Sequence, residues 1–326
     1  MATLLESLGQ TLTPDALAGI GKLVGLDTDK VSRGMGLAGP VVTGAMANRA
    51  STPQGLDGLL KMLPTDGGAG LGNILGMLRG GGASNDALSS LLGPGFGAIG
   101  STLDRAVGFK VSPLIGLAAP VVMGLVSKAM AERKLEPGAL ASMLQSEQKN
   151  FMDKSGDTAR LVQTAMDAGA QAAGVKARFT PEQWTQVRLG PLAAAQMVMK
   201  ASISGPVGLV KEVGAIGEVI ASTRQGSAPT SLVSLAFDVE PSVDEARAMG
   251  KDLSKSTALD VLKASAALVA RNSPGDAGAY SSLLTAVAQK VAEASKEGGF
   301  LGIGGTRVSE EERQAIDEIK AALGAK

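Results

Sequence analysis

The chain has no cysteine and no histidine among its 326 residues. The first absence excludes disulfides and thiol nucleophiles, and it suits a reducing compartment. The second removes the commonest general acid or base near neutral pH and the commonest zinc ligand. Any catalysis has to run on carboxylates, lysines, hydroxyls or a borrowed cofactor. Aromatic residues are scarce, at 2%, so the core must be filled by aliphatic and small side chains. Charge of one sign is missing as well: 31 basic residues balance 31 acidic ones, and the balance holds in each half of the chain. Neither half carries the electrostatic footprint of a nucleic-acid binder, so nucleic acid is not expected as a partner.

Long apolar runs are also lacking. The longest uncharged windows, 87–103 and 111–127, each contain proline and several small or polar residues. A spanning helix needs about 20 mainly apolar residues, so both windows read as the interior of a soluble fold. The opening MATLLESLGQTLTPDAL has no basic leader followed by an apolar stretch. No secretory signal is expected there, and a cytoplasmic location follows.

What is present is helical. Thr13-Pro14, Thr52-Pro53, Ser112-Pro113, Thr180-Pro181 and Ser273-Pro274 each place a capping hydroxyl before a proline at the first helical position. Such pairs also suit phosphorylation, but capping explains all five at once. Thr180 with Gln183, Ser242 with Glu245, and Ser309 with Glu312 have capping-box spacing. Val210, Val213, Gly214, Gly217 and Ile220 share one helix face. So do Leu283, Leu284, Val287, Ala288 and Val291, and so do Ile316, Ile319 and Leu323. No stretch alternates as a strand does. The fold class is all-α.

Two domains are expected. GLAGPVVTGAM (36–46) returns eighty residues later as GLAAPVVMGLV (116–126). Over 31–44 and 111–124, nine of fourteen positions are identical. LVGLD (23–27) resembles AVGFK (106–110), and GLDGLLKML (55–63) resembles GALASMLQS (138–146). Residues 1–148 therefore read as an internal duplication of a three-helix unit. Segment 64–84 reads as a glycine-rich loop around one short helix. The polar stretch 149–158 reads as a linker, and 159–326 as a bundle of helical hairpins around Trp184 and Tyr280.

Each repeat places a proline inside a helix. Its ring strikes the carbonyl four residues back, and glycine there turns the clash into a kink. Gly36, Pro40 and Gly44, and likewise Gly116, Pro120 and Gly124, stack on one face. These two small, smooth stripes are the expected helix-packing sites, and the two kinked helices are expected to pack against each other, or against equivalent partners, about a pseudo-twofold axis. Small-residue spacing also serves helix contacts in membranes, so a membrane surface stands second to protein contact.

Catalytic motifs are missing. There is no Gly-x-Ser-x-Gly elbow, and GGFLGIGGTR (298–307) lacks the lysine and spacing of a phosphate loop. Asp27-Thr28-Asp29 opens like a calcium loop, but Ser32 and Ala38 stand where glycine and glutamate are needed. Ser146 and Lys149 have Ser-x-x-Lys spacing without companion motifs. Glu310, Glu311 and Glu312 suit a helix N-terminus. Gly299, Phe300, Leu301, Gly302, Gly304, Gly305 and Arg307 form a candidate binding loop, with Arg307 available to an anion; the plainer alternative is a flexible connector. No catalytic residue, metal site or cofactor is expected.

The stretches LGQTLTPDAL, VGLDTDKVS and GLAGPVVTGAMANRASTPQGLDGLL resemble the YidB-like family of uncharacterised bacterial proteins, over residues 3–148. That family's fold is described as homeodomain-like, which would imply nucleic acid, but the neutral charge here argues against it. FTPEQWTQVRLGPLAAAQMVMKAS and VAEASKEGGFLGIGGTRVSEEERQAIDEI resemble the TerB-like proteins associated with tellurite resistance. Their acidic metal-binding stretch would fall at Ser202-Ile203-Ser204-Gly205-Pro206, which has no carboxylate. The expected function is non-enzymatic, through a protein partner or homo-oligomer. Membrane-surface association or apolar-ligand binding is the alternative, and a carboxylate-dependent enzyme is the third reading.

Overall fold

Residues that cap and residues that pack alternate along the chain, and the elements follow them. The fold is given by a computed structural model that describes residues 3–64, 85–201, 208–238, 254–294 and 308–324. Every regular element among the described residues is a helix. In the first half these are α1 (Leu4–Thr11), α2 (Pro14–Val24), α3 (Thr28–Ala50) and α4 (Pro53–Met62). After residues 65–84 come α5 (Asn85–Leu92), α6 (Phe96–Val107), α7 (Ser112–Arg133), α8 (Pro137–Lys154) and α9 (Gly156–Lys176). The second half has α10 (Pro181–Met199), α11 (Gly208–Gly226), α12 (Leu232–Ala236), α13 (Lys255–Asn272), a 3₁₀ turn at Pro274–Asp276, α14 (Ala277–Ala294) and α15 (Glu310–Ala322).

Three of the five expected Ser/Thr-Pro starts are built as expected. Thr13, Thr52 and Thr180 accept from the backbone N–H of Ala16, Gly55 and Gln183, and proline follows each. The other two differ. α7 starts at Ser112, but its cap is Asp104 of α6, whose carboxylate accepts the N–H groups of Val111 (2.6 Å) and Ser112 (3.2 Å). Ser273 instead donates its hydroxyl to Asp276 (2.6 Å) within the 3₁₀ turn. The capping boxes at Thr180 and Ser309 are both present, with another at Thr3 and Glu6.

The chain divides into two compact units, Met1–Ala173 and Gly174–Lys326. The division lies later than composition suggests, inside α9. Segment 149–158 is not a linker: it is the end of α8 and the start of α9, interrupted at Ser155. Its polar residues are the solvated faces of helices whose other faces bury Leu140 and Leu144, then Ala159, Val162 and Ala165.

In the first unit α3 is the central element. It packs along α7 and α8 and carries α2 and α4 on its flanks. Val31, Met35, Val41, Val42 and Met46 are buried in one core with Leu114, Ile115, Val121, Val122 and Val126. In the second unit α10 holds the same position, against α13 and α14, while α11 and α15 cover α14. Its core joins Val187, Ala194 and Val198 to Leu262, Leu284, Val287 and Ile319. Tyr280 is fully buried there, as expected. Trp184 is only half-buried, edge-on to Phe179 with ring centroids 5.5 Å apart.

Candidate functional site

α3 and α7 pack together, while the stripe glycines with described neighbours, Gly44 and Gly116, face other helices. Both helices run unbroken through their prolines. Gly36 is exposed, and a methyl group there would meet nothing. The carbonyl that Pro40 leaves without an N–H therefore lies on solvated backbone. Gly44 is buried, but against the Gln148 side chain of α8. Gly116 and Pro120 are half-buried, with Leu88 of α5 over Gly116; Gly124 is buried. The close approach of α3 to α7 falls instead at Gly34, where a methyl group would overlap the Leu114 side chain. The Arg33 guanidinium sits beside it, over the Phe109 ring at 5.8 Å from the centroid. Sequence spacing pointed to the glycines flanking proline. The position that matters is a glycine opposite a leucine, which only coordinates pair.

The candidate binding loop, Gly299 to Arg307, lies outside the described residues. So do the 64–84 loop beyond Pro64, the Ser202–Pro206 turn and the Ser242–Glu245 box. Asp27 is spent as the N-cap of α3. It accepts the Lys30 N–H (2.8 Å) and pairs with the Lys30 ammonium (2.7 Å), which holds its carboxyl below the usual range. Ser146 and Lys149 are exposed on α8. Among the described residues no three acidic side chains gather as a metal site would require.

Three features remain that sequence reasoning did not single out. The first is a furrow of about 1190 Å³ on the second unit, between α13, α14 and α15. Its floor is small: Ala267, Ala270, Gly278 and Ser282 are exposed along it. Lys263 and Lys320 stand at its sides with Asp317. The sequence signal was available, since Gly278, Ser282 and Ala286 recur at i, i+4 and i+8 on the face opposite Tyr280, Leu284 and Val287.

The second is a polar cavity of about 540 Å³ between α1 and α7, lined by Ser7, Gln10, Lys128, Glu132 and Arg133 among others. Close by, Glu147 of α8 is buried and accepts the Leu4 N–H at 3.0 Å. Burial pushes its carboxyl above the ordinary glutamate range; the Leu4 N–H and the charge of Arg133 oppose that, and Glu6 adds to it.

The third is a buried knot at Pro191 in α10. Proline has no N–H for the Val187 carbonyl, and the Tyr280 hydroxyl donates to it instead (2.6 Å). Gly190 leaves the room: a methyl group there would overlap the tyrosine oxygen. Burial holds the Tyr280 hydroxyl well above its usual range, with Ser265 opposing, so it stays a donor.

Of these three features, the furrow is the largest space and is open along its length. The buried carboxylate and the tyrosine knot both serve the fold, one capping α1 and the other repairing α10.

Residues 6–129 match a family described as bacterial protein of unknown function (DUF937). The match runs from α1 to within α7 and leaves the whole second unit outside it. No curated protein and no solved structure matches the chain.

Proposed function

We propose that this is a non-enzymatic helical protein of the bacterial cytoplasm, acting through protein contact or self-assembly. Its first half is YidB-like and its second TerB-like in this reading. The observation that carries it is the furrow on the second unit. Side-chain size at a contact sets how near two helix axes come, within about 8–10 Å. A floor of alanine, glycine and serine admits a partner helix at the near end of that range, and Lys263 and Lys320 can meet its acidic side chains. Ala270→Arg and Ser282→Arg test it, because both positions are exposed and a long side chain there has solvent to enter. The wild-type protein, captured at native expression, should retain a co-purifying chain or a concentration-dependent mass that either variant loses at unchanged helicity. A wild-type monomer at every concentration with no companion, or variants that keep theirs, removes the reading.

A membrane surface is the second reading, and α7 supports it. This is the one described helix long and apolar enough to cross a bilayer, with a mean hydropathy of 1.8. Against it, 56% of that window is buried within the fold, as expected of a core helix. Flotation with anionic vesicles separates the readings: protein left at the bottom of the gradient leaves only protein contact.

A further inference from the structure

We propose that the first unit is an internal dimer of two four-helix halves, α1–α4 and α5–α8, and that Gly34 and Leu114 are the hole and knob that make unlike halves pair. The halves correspond element by element. α1 and α5, α2 and α6, and α3 and α7 follow each other at offsets close to eighty residues, and Leu8 and Leu88, eighty residues apart, are buried in the two short helices. α2 and α6 both end on a glycine in the left-handed region, Gly25 at φ 71° and Gly108 at φ 77°.

Packing is reciprocal. α1 of the first half lies on α7 of the second, and α5 of the second lies on α3 of the first. The Arg49 guanidinium of α3 donates to the Ser90 carbonyl of α5. The decisive contact is Gly34 against Leu114, because residue 34 and residue 114 are the same position of the repeat. In a twofold arrangement only a residue beside the axis touches its own counterpart. At that point two like halves would meet as glycine on glycine, leaving a void, or leucine on leucine, in a clash. One of each fills the space. The twofold relation fails at the fourth helices, where α4 and α8 both lie on α3.

The α3–α7 surface is satisfied within one chain, so any contact with another copy uses a different face.

Interchange of the two side chains in the full-length protein is the test. Gly34→Leu and Leu114→Gly should each lower the melting midpoint of this unit by about 5 °C or more. The double variant, with knob and hole exchanged, should recover most of that loss. Thr43 and Met123 are the control, being repeat-equivalent and nine residues beyond Gly34 and Leu114 along the same helices. Thr43→Met and Met123→Thr should add without coupling. If Gly34→Leu alone fails to fold, recovery of folded protein in the double variant supports the proposal equally. A double variant that falls as far as the sum of its singles, or that fails to fold, overturns the proposal. So does equal coupling at the control pair.

Discussion

A proline inside a buried helix leaves a carbonyl in search of a donor, and the interior prolines of this chain solve that in two ways. Behind Pro40 the orphaned carbonyl belongs to exposed Gly36, and water can reach it. Behind Pro191 it belongs to Val187, which is fully buried, so the donor has to come from protein. The only tyrosine in the sequence supplies it. Tyr280→Phe should therefore cost about 1–3 kcal/mol, the range for a buried acceptor stripped of its partner, read as a lower urea midpoint at unchanged slope. Gly190→Ala should cost a similar amount by overpacking, about 1–3 kcal/mol. Because the added methyl meets the hydroxyl first, its cost should shrink in the Tyr280→Phe background. Simple additivity of the two would show that the oxygen is not what Gly190 makes room for.

At the scale of the element, α1 shows how a short helix is held. Eight residues are marginal alone, and α1 buries only Leu4 and Leu8. Its own capping box serves two N–H groups, and Glu147 takes a third from across the unit. That carboxylate is costly when charged, because burial outweighs the hydrogen bond it accepts. Its folded-state pKa is raised, so the folded protein binds the proton more tightly than the unfolded chain does. Stability from this group is present at low pH and falls as pH climbs from about 4.5 toward the raised value. Glu147→Gln keeps an acceptor for Leu4 without the charge. It should be at least as stable as wild type at pH 7 and should flatten the pH dependence above 4.5. Glu147→Ala should lose about 1 kcal/mol, as lost caps do. A Gln variant less stable than wild type at pH 7 would show that the charge itself is needed. Such long-range caps are what sequence reading cannot reach. Thr13, Thr52 and Thr180 cap their own helices within three residues, so their starts were legible. The start of α7 depends on Asp104 eight residues before, and Ser112-Pro113 alone misidentifies its cap.

For the molecule as a whole, composition and period made the helical class and the two-part organisation readable, while the position of the division was not. A polar run looks the same whether it is a linker or the wet faces of two packed helices. Only the burial of Leu144 on one side and Ala159 and Val162 on the other shows the latter. The furrow escaped for a related reason: small residues on a helix announce close packing, and only the surrounding helices show which small faces are already covered. The two hydrophobic cores share no residue, one ending at Ala165 and the other beginning at Phe179. Separate cores predict separate responses. In calorimetry of the full-length protein, Tyr280→Phe should lower one transition and Leu114→Gly the other, each leaving its neighbour in place. If the chain melts as one unit and either substitution shifts the whole of it, then α9, which spans the division, transmits stability between the cores and the two units are a single cooperative body.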